Sequence, residues 1–312
     1  MYLGVDIGGT SIKSAILDGD GLIARRAIPT EANQGVASVL TKLRTLVRTY
    51  FEEYPQIKAV GVGVPGVVDT MGNVLVSPNL PGWKNIPLLK FLRNYCDAPI
   101  AVENDANAAA LAEMIEGAGR DCHSFIYVTL GTGVGGAIIY RGELFRGESS
   151  GAGEIGHTII DYNCRNKSQF KFQQGTLEAF VGKNSILSIA KQEASKDASS
   201  KLNANENFDV VDIYNYALQG DPSSKKVLRK VGEMLGYGLA SAMNLLDIST
   251  VIVGGGVANA GEMIFESARK VARSHLLPPL AEHFQLRTAR HLSDTGVRGA
   301  SLLGKTLIEQ EF

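Results

Sequence analysis

The chain has 312 residues, 45% of them hydrophobic and 20% charged, and a formal net charge of -1. This length is more than one hydrophobic core usually serves, so two domains are expected. The near-neutral charge argues against nucleic acid as a partner, and no apolar stretch is long enough to cross a membrane. The odd number of cysteines, three, and a first strand that starts at once without a leader segment favour a reducing cytoplasm.

The first third of the chain alternates apolar strands, glycine turns and helical patterns. Apolar runs bounded by turn residues predict strands over 2–6, 11–17, 22–28, 59–64 and 99–102. Apolar residues at helical spacing predict helices over 36–51, 88–95 and 106–116.

The opening pattern recurs in the middle of the chain. Strand, glycine turn, strand and turn occupy residues 3–21 and again 126–142. Hairpins are common, but two glycine-rich ones in corresponding roles predict an internal duplication. The predicted domains are 1–116 with a returning helix 297–312, and 117–296.

The last third is predicted to be mainly helical. Asp221-Pro222 is a cap-plus-proline signal, and helices are predicted over 222–246, 262–275 and 296–308, with strands at 251–253 and 284–288. Gly232 and Gly236, four residues apart, are expected to allow close helix packing. The polar segments 161–175 and 191–207 are predicted to be solvated surface.

The segment Val102 to Asn107 joins a predicted strand to a predicted helix with no room for a loop. Polar groups at such a switch project into the cleft at the carboxyl edge of an α/β sheet, where ligands bind. Asp105 is therefore a candidate general base. Asp is also a preferred helix N-cap, and this stretch alone favours the cap.

The glycine turns Gly8-Gly9-Thr10 and Gly131 to Gly136 lie between apolar segments, where backbone N–H groups can converge on an anion. Thr10 and Thr132 add hydroxyl donors. Asp6, at the end of its strand, is a candidate to hold a magnesium-bound water, the alternative being a turn carboxylate. Together with the glycine run 254–256, these turns indicate a nucleotide triphosphate lying across a cleft.

Two familiar motifs are rejected on their context. Gly131, Gly133 and Gly136 satisfy the dinucleotide pattern G-x-G-x-x-G, but a strand pattern follows where that motif needs a helix. Residues 299–306 match a Walker A loop, but they lie inside a predicted helix with only six residues after them.

These residues resemble the ROK family of bacterial sugar kinases and related repressors, within the hexokinase–actin superfamily. The matching motifs run in family order over nearly the whole chain: Asp6 to Thr10, Gly63 to Gly66, Ser77 to Leu80, Glu103 to Asn107, Gly131 to Gly136, Gly153 to His157, and Gly254 to Val257. The resemblance implies an α/β, two-domain actin-like (ribonuclease H-like) sugar kinase fold with a deep interdomain cleft that closes on the sugar.

The resemblance also implies roles for individual residues. The residues implied to bind ATP and Mg²⁺ are Asp6, Gly8, Gly9, Thr10, Lys13, Thr132 and Gly133 at the phosphates, Gly255 and Gly256 by the adenosine, and Ala300 near the base. The residues implied to contact the sugar are Gly66, Asn79, Asn104, Asp105, Glu154, His157 and Glu178. Asp105 is the implied base, taking the proton from the 6-hydroxyl of a hexose. For His157 the alternative is a packed histidine, but Glu154 three residues earlier favours sugar contact.

The sequence departs from the family at its zinc site. The usual pattern is a His followed by C-x-C-G-x-x-G-C-x-E, whereas here Thr176 stands where the last Cys belongs and Cys164 is the only cysteine in the interval. One Cys and one His cannot complete a tetrahedral site. No structural zinc is expected. The assignment of Glu178 as a sugar ligand loses support as well, because Glu178 belongs to the same motif.

The expected function is ATP-dependent phosphorylation of a hexose, with glucose as the first candidate. Another hexose or an N-acetylated hexosamine remains an alternative substrate. A non-catalytic sugar-sensing protein of the same family is a further alternative. A repressor with an N-terminal DNA-binding domain is disfavoured, because the first strand of the phosphate hairpin starts at Tyr2. The expected assembly is a homodimer.

Overall fold

The chain divides into two compact units in the computed structural model, which describes residues 1–163, 173–205, 207–291 and 294–309. Unit 1 consists of Met1–Arg120, Leu144–Ala152 and Asp294–Phe312, and unit 2 of Asp121–Glu143 and Gly153–Ser293. The predicted boundaries at 116 and 297 fall close to these. The inclusion of Leu144–Ala152 in unit 1 was not predicted, because it depends on a tertiary contact described below.

The strands alternate with glycine turns much as the sequence predicts. They are β1 (Tyr2–Ile7), β2 (Ser11–Asp18), β3 (Gly21–Pro29), β4 (Ala59–Val64), β5 (Val67–Val68), β6 (Val74–Val76), β7 (Lys84–Ile86), β8 (Ile100–Asn104), β9 (Phe125–Leu130), β10 (Val134–Tyr140), β11 (Glu143–Leu144), β12 (Thr250–Gly254) and β13 (Gln285–Thr288). The short strands β5, β6 and β7 form a small separate sheet.

The helices are most numerous in the second half of the chain. They are α1 (Val36–Glu53), α2 (Leu88–Leu92), α3 (Asp105–Ile115), α4 (Glu178–Val181), α5 (Lys183–Ala194), α6 (Val210–Leu218), α7 (Pro222–Leu246), α8 (Glu262–His275), α9 (Pro278–His283) and α10 (Thr295–Glu309). None of these helices, as far as the structure describes them, is both long and apolar enough to cross a membrane.

The two large sheets have the same construction. The strand order is β3-β2-β1-β4-β8 in one and β11-β10-β9-β12-β13 in the other. In each, a glycine-turn hairpin (β1 with β2, β9 with β10) is antiparallel, and the next two strands are parallel to its first strand. The predicted internal duplication is therefore confirmed.

The polar residues of unit 1 are gathered by parallel pairing. Asp6 of β1 lies opposite Gly63 of β4, which in turn lies opposite Glu103 of β8. Parallel strands end at the same edge of a sheet, so the residues that follow these three positions emerge side by side. This edge carries the candidate chemistry of unit 1.

Close packing of helices depends on glycine at a few positions. A Cβ on Gly61 of β4 would lie 1.8 Å from the carbonyl oxygen of Ala300, so α10 packs directly on the sheet. A Cβ on Gly232 of α7 would lie 2.2 Å from the carbonyl oxygen of Ile264 in α8, as the four-residue glycine spacing predicts. Each unit has its own apolar core around its sheet.

Both rejected motifs have the structures that argued against them. Residues 299–306 lie within α10, and Gly131 to Gly133 lead into the strand β10, which itself contains Gly136. One surface prediction is partly wrong: the segment 191–207 includes the end of α5, and both Glu193 and Leu202 are buried. The error arose because polar side chains on α5 concealed a helix that packs on α7 through a few apolar positions.

Candidate active site

The junction of β8 and α3 is built by Asn104. Its side-chain oxygen accepts a hydrogen bond from the backbone N–H of Asn107 (3.0 Å), which makes Asn104 the N-cap of α3. Its amide nitrogen donates to the carbonyl oxygen of Gly66 (2.8 Å). Asp105 is the first residue of the helix, so the reading of Asp105 as the cap is wrong. The preceding amide satisfies the N–H group that a capping carboxylate would accept.

Asp105 and Asp6 lie on either side of Gly63. A Cβ built on Gly63 would be 3.7 Å from the Cα of Asp105 and 3.8 Å from Oδ1 of Asp6. Burial, followed by the charge of Asp105, raises the pKa of Asp6 to about 7, although Lys13 acts in the opposite direction. Burial also raises the pKa of Asp105, against a backbone hydrogen bond from Ala106. Two neighbouring carboxylates with raised pKa values are typical of functional sites.

The first glycine turn is held in place by hydrogen bonds from Thr30, a buried residue directly after β3. The Thr30 hydroxyl donates to the Gly8 carbonyl (2.6 Å), and its backbone N–H donates to the Thr10 carbonyl (2.9 Å). Gly9 and Thr10 are exposed. The turn is therefore fixed by Thr30 while its backbone is accessible to a ligand. Lys13 pairs across the hairpin with Asp6 and is also exposed.

Two candidate sugar ligands lie close to these groups. Asn79 is exposed, and its carbonyl oxygen would be 3.2 Å from a Cβ on Gly9. Gly66 has φ +110°, and a Cβ there would lie 2.1 Å from the carbonyl oxygen of Val76, so only glycine fits. Unit 1 thus brings together the predicted residues Asp6, Gly8, Gly9, Thr10, Lys13, Gly66, Asn79, Asn104 and Asp105.

The second glycine turn, in unit 2, is held by the segment that carries Glu178. Oε2 of Glu178 accepts the backbone N–H of Val134 (2.8 Å), the first residue of β10. A Cβ on Gly133 would lie 2.2 Å from the same oxygen. The backbone N–H of Lys183 donates to the Gly131 carbonyl (3.0 Å). The predicted phosphate residues Thr132 and Gly133 therefore lie against a predicted sugar ligand.

The third glycine run lies beside this turn. Gly255 has φ +86°, and a Cβ on it would lie 2.3 Å from the carbonyl oxygen of Leu130, the last residue of β9. A Cβ on Gly256 would meet nothing within 4 Å, so the backbone there is open to a ligand. Parallel pairing of β9 and β12 brings the two glycine segments to one edge of the sheet of unit 2.

Glu154 and His157 lie on one short turn of unit 2. The backbone N–H of His157 donates to the carbonyl of Glu154 (3.0 Å) across a 3₁₀ turn. His157 is exposed and Glu154 is half-buried, which disfavours the reading of His157 as a packed core residue. The next residue, Thr158, accepts the backbone N–H of Leu177 (2.9 Å), which connects this turn to Glu178.

Ala300 does not fit its predicted role near the adenine base. Its side chain has no exposed surface, and its backbone lies against Gly61 on the inner face of α10. A residue enclosed in the core of unit 1 offers nothing to a ligand. We therefore do not include Ala300 in the site.

Two residues of the site were not identified from the sequence. Glu103 has a side chain only 5% exposed, and Arg146 donates from Nε to its Oε2 (2.9 Å). Glu103 has a sequence signal, a carboxylate at the end of a buried strand. Arg146 has none, because it lies in an irregular segment far along the chain.

The metal predictions concern both units. Mg²⁺ prefers carboxylate oxygens and water, and Asp6 supplies carboxylate oxygens, so the residue present fits an ion held through water. Among the described residues no group of three or more His, Cys, Asp or Glu side chains is arranged to hold a metal. Cys164 and most of the segment 161–175 lie outside the described residues, so the absence of zinc stays a prediction.

Comparisons with known proteins identify the class of fold. The structure matches that of a ROK family glucokinase from Streptomyces griseus, solved with glucose and AMPPNP, with a TM-score of 0.84 and 31% identity over 98% of this chain and 99% of that one. The fold is the two-domain actin-like fold of these sugar kinases. The model of the ROK family matches residues 2–306, and the chain belongs to the ROK family.

Relatives within the family differ in function. A glucokinase of Halalkalibacterium halodurans is 31% identical over 97% of this chain and 94% of that protein. A xylose repressor of Caldicellulosiruptor bescii is 29% identical over 86% of this chain but only 69% of the repressor. Belonging to the ROK family shows that the chain is related to sugar kinases. Whether it catalyses phosphorylation or only senses sugar depends on the residues of its site.

Proposed function

We propose that the protein is an ATP-dependent hexose kinase that phosphorylates the 6-hydroxyl of its sugar, with glucose as the expected substrate. The observation that carries this proposal is Asp105. It is not needed as a helix cap, it lies half-buried beside Asp6, and its pKa is raised. A protein that only senses sugar has no need of such a base.

The proposed proton transfer starts at the sugar. The 6-hydroxyl gives its proton to the Asp105 carboxylate while its oxygen forms a bond to the γ-phosphorus of ATP. The bond from that phosphorus to the β–γ bridging oxygen breaks, and ADP leaves with the bond's electron pair. A raised pKa makes Asp105 a stronger base for this step, provided that it starts ionised.

The remaining groups hold the reactants in position, which accounts for most of the catalysis of phosphoryl transfer. The backbones of the glycine turns and the hydroxyls of Thr10 and Thr132 are proposed to bind phosphate oxygens. A bound Mg²⁺, held through water by Asp6, would neutralise charge on the phosphates. The proposed sugar ligands are Gly66, Asn79, Asn104, Glu154, His157 and Glu178.

The experiment is a panel of sugars offered with Mg-ATP. The panel comprises glucose, fructose, mannose, allose and N-acetylated hexosamines, and ³¹P and ¹H NMR identify the phosphorylated hydroxyl. We expect transfer to the 6-hydroxyl, fastest with glucose. Preference for a hexosamine would replace glucose within the same proposal. Tight sugar binding without transfer to any sugar would favour the sensing alternative and contradict the kinase.

A further inference from the structure

The carboxylate of Glu103 accepts hydrogen bonds from three groups although it lies in the core of unit 1. Oε1 accepts the backbone N–H of Asn104 (2.9 Å) and the side-chain Nδ2 of Asn107 (2.9 Å). Oε2 accepts Nε of Arg146 (2.9 Å). The Glu103 carboxylate is thus stabilised by hydrogen bonds from two neutral amides and one cation.

Arg146 is the cation in that arrangement, and it comes from a segment far away in the sequence. Its side chain is 39% exposed, whereas that of Glu103 is 5% exposed. The segment Leu144–Ala152 belongs to unit 1, although the chain on either side of it belongs to unit 2. The bond from the backbone N–H of Ala152 to the carbonyl of Arg146 (3.1 Å) closes this segment into a loop.

The two amide donors to Glu103, from Asn104 and Asn107, belong to the residues that fix the beginning of α3. Asn104 caps the helix and holds Gly66, and the N–H of Asn104 is bound by Glu103. Oδ1 of Asn107 is buried with no hydrogen-bond partner among the described residues, so the bond from Nδ2 to Glu103 orients that amide. Asp105 lies between these two amides in the chain.

We infer that Arg146 is a positioning residue for the proposed base: by neutralising buried Glu103, it holds the β8–α3 junction so that Asp105 meets the sugar hydroxyl. This inference rests on the proposed function. Without the guanidinium, the buried carboxylate of Glu103 loses its cationic partner, which is strongly unfavourable. The carboxylate would turn towards water and release Asn104 and Asn107. A displacement of about 1 Å at a reacting group can cost roughly a hundredfold in rate.

The test is a double-mutant cycle on Arg146 and Glu103. Arg146→Met keeps the length of the stem but removes the charge, and we expect a fall in kcat of roughly ten- to a hundredfold, with the KM for ATP within about twofold of wild type. Arg146→Lys keeps the charge without the Nε geometry, and we expect a smaller loss. In Glu103→Gln with Arg146→Met the buried charge is gone, and we expect most of kcat to return.

The control is Arg120→Met, which removes an exposed arginine of unit 1 and should leave kcat unchanged. A merely structural role for Arg146 would lower the melting temperature and leave kcat near wild type. That result, or the absence of recovery in the double variant, overturns the inference even if Arg146→Met folds poorly. A wild-type protein inactive on every sugar would instead remove the proposed function, so the two failures are distinguishable.

Discussion

The carboxylate of Glu178 accepts the backbone N–H of Val134 at 2.8 Å, and this bond connects a proposed sugar ligand to a proposed phosphate turn within unit 2. Lys183, on the same segment, binds the carbonyl of Gly131 at the other end of that turn. The turn is therefore held at both ends by residues 178–183. A sugar hydroxyl that binds Glu178 would therefore contact the same carboxylate that holds the proposed phosphate turn in place.

Substitution of Glu178 tests this connection. Glu178→Gln keeps an oxygen for the Val134 N–H but loses the charge, and hydrogen bonds to charged groups are worth roughly 1.5–3 kcal/mol. We expect the KM for sugar to rise by roughly ten- to a hundredfold. Glu178→Ala, which removes the acceptor, should also raise the KM for ATP. Steady-state kinetics on both substrates measure this, with Glu266→Gln at an exposed position of α8 as the control. An unchanged sugar KM in Glu178→Gln would exclude Glu178 as a sugar ligand.

The glycines of the second turn offer a matched pair. A Cβ on Gly133 would lie 2.2 Å from Oε2 of Glu178, whereas a Cβ on Gly131 would meet nothing within 4 Å. Gly133→Ala should therefore displace the Glu178 carboxylate from Val134 and weaken sugar binding in the absence of nucleotide. Gly131→Ala should leave sugar binding as in wild type. Isothermal titration with glucose compares them, and equal affinities would show that Glu178 tolerates the displacement.

Much of the fold could be predicted because local patterns and tertiary structure agree. The runs of β4 and α7 are predicted with the observed bounds, since one is a fully buried strand and the other begins with Asp221-Pro222 and ends before Asp247. The duplication could be predicted because both hairpins carry a glycine turn. Helix α5 was missed because many of its residues are polar, and α6 because it is only nine residues long; both pack on α7.

The site could be predicted only as far as local sequence carries it. Asp105 and the glycine turns lie in short motifs, so their residue types and order are visible in the sequence. The exchange of roles between Asn104 and Asp105 was not visible, because either side chain can cap a helix and only the geometry decides. Arg146 could not be predicted either, since its meaning depends on the distant Glu103.

The raised pKa of Asp6 predicts a pH-dependent stability. Burial, then the charge of Asp105, raises this pKa from an ordinary value near 3.8 to about 7. Between these values the folded protein binds more protons than the unfolded chain, so the free energy of unfolding falls as the pH rises through this range. Asp6→Asn removes the effect and should stabilise the protein at pH 8 by up to roughly 4 kcal/mol, with little gain near pH 4.

Thermal unfolding in EDTA without nucleotide measures this, since a bound cation would offset the charge on Asp6. Asp18→Asn, on the exposed end of β2, serves as the control for removing a carboxylate of the same unit. The same Asp6→Asn variant should lose kinase activity at pH 8, where it is more stable than wild type. A constant difference in melting temperature from pH 4 to pH 8 would contradict the raised pKa.

Substitution of Asp105 by Asn decides whether this residue is the base. Asn104 is the cap, and an amide oxygen at 105 can still accept the N–H of Ala106, which Asp105 holds at 2.9 Å. The melting temperature of Asp105→Asn should therefore stay near that of wild type. Asn104→Ala, in contrast, loses the cap and the bond to Gly66 and should be destabilised by about 1 kcal/mol or more. This pair of variants establishes which residue supports the helix.

Turnover then separates the chemistry from the fold. The amide of Asp105→Asn cannot take the hydroxyl proton, so kcat should fall by roughly two to four orders of magnitude, the usual worth of general acid–base catalysis. The affinity for sugar should change far less, because the amide can still hydrogen-bond the hydroxyl. Burial raises the pKa of Asp105. On acidification, wild-type turnover should therefore begin to fall at a pH higher than the pKa of an ordinary Asp carboxylate. A folded Asp105→Asn protein with near-normal turnover would exclude Asp105 as the base, and with it the observation on which the proposed kinase activity depends.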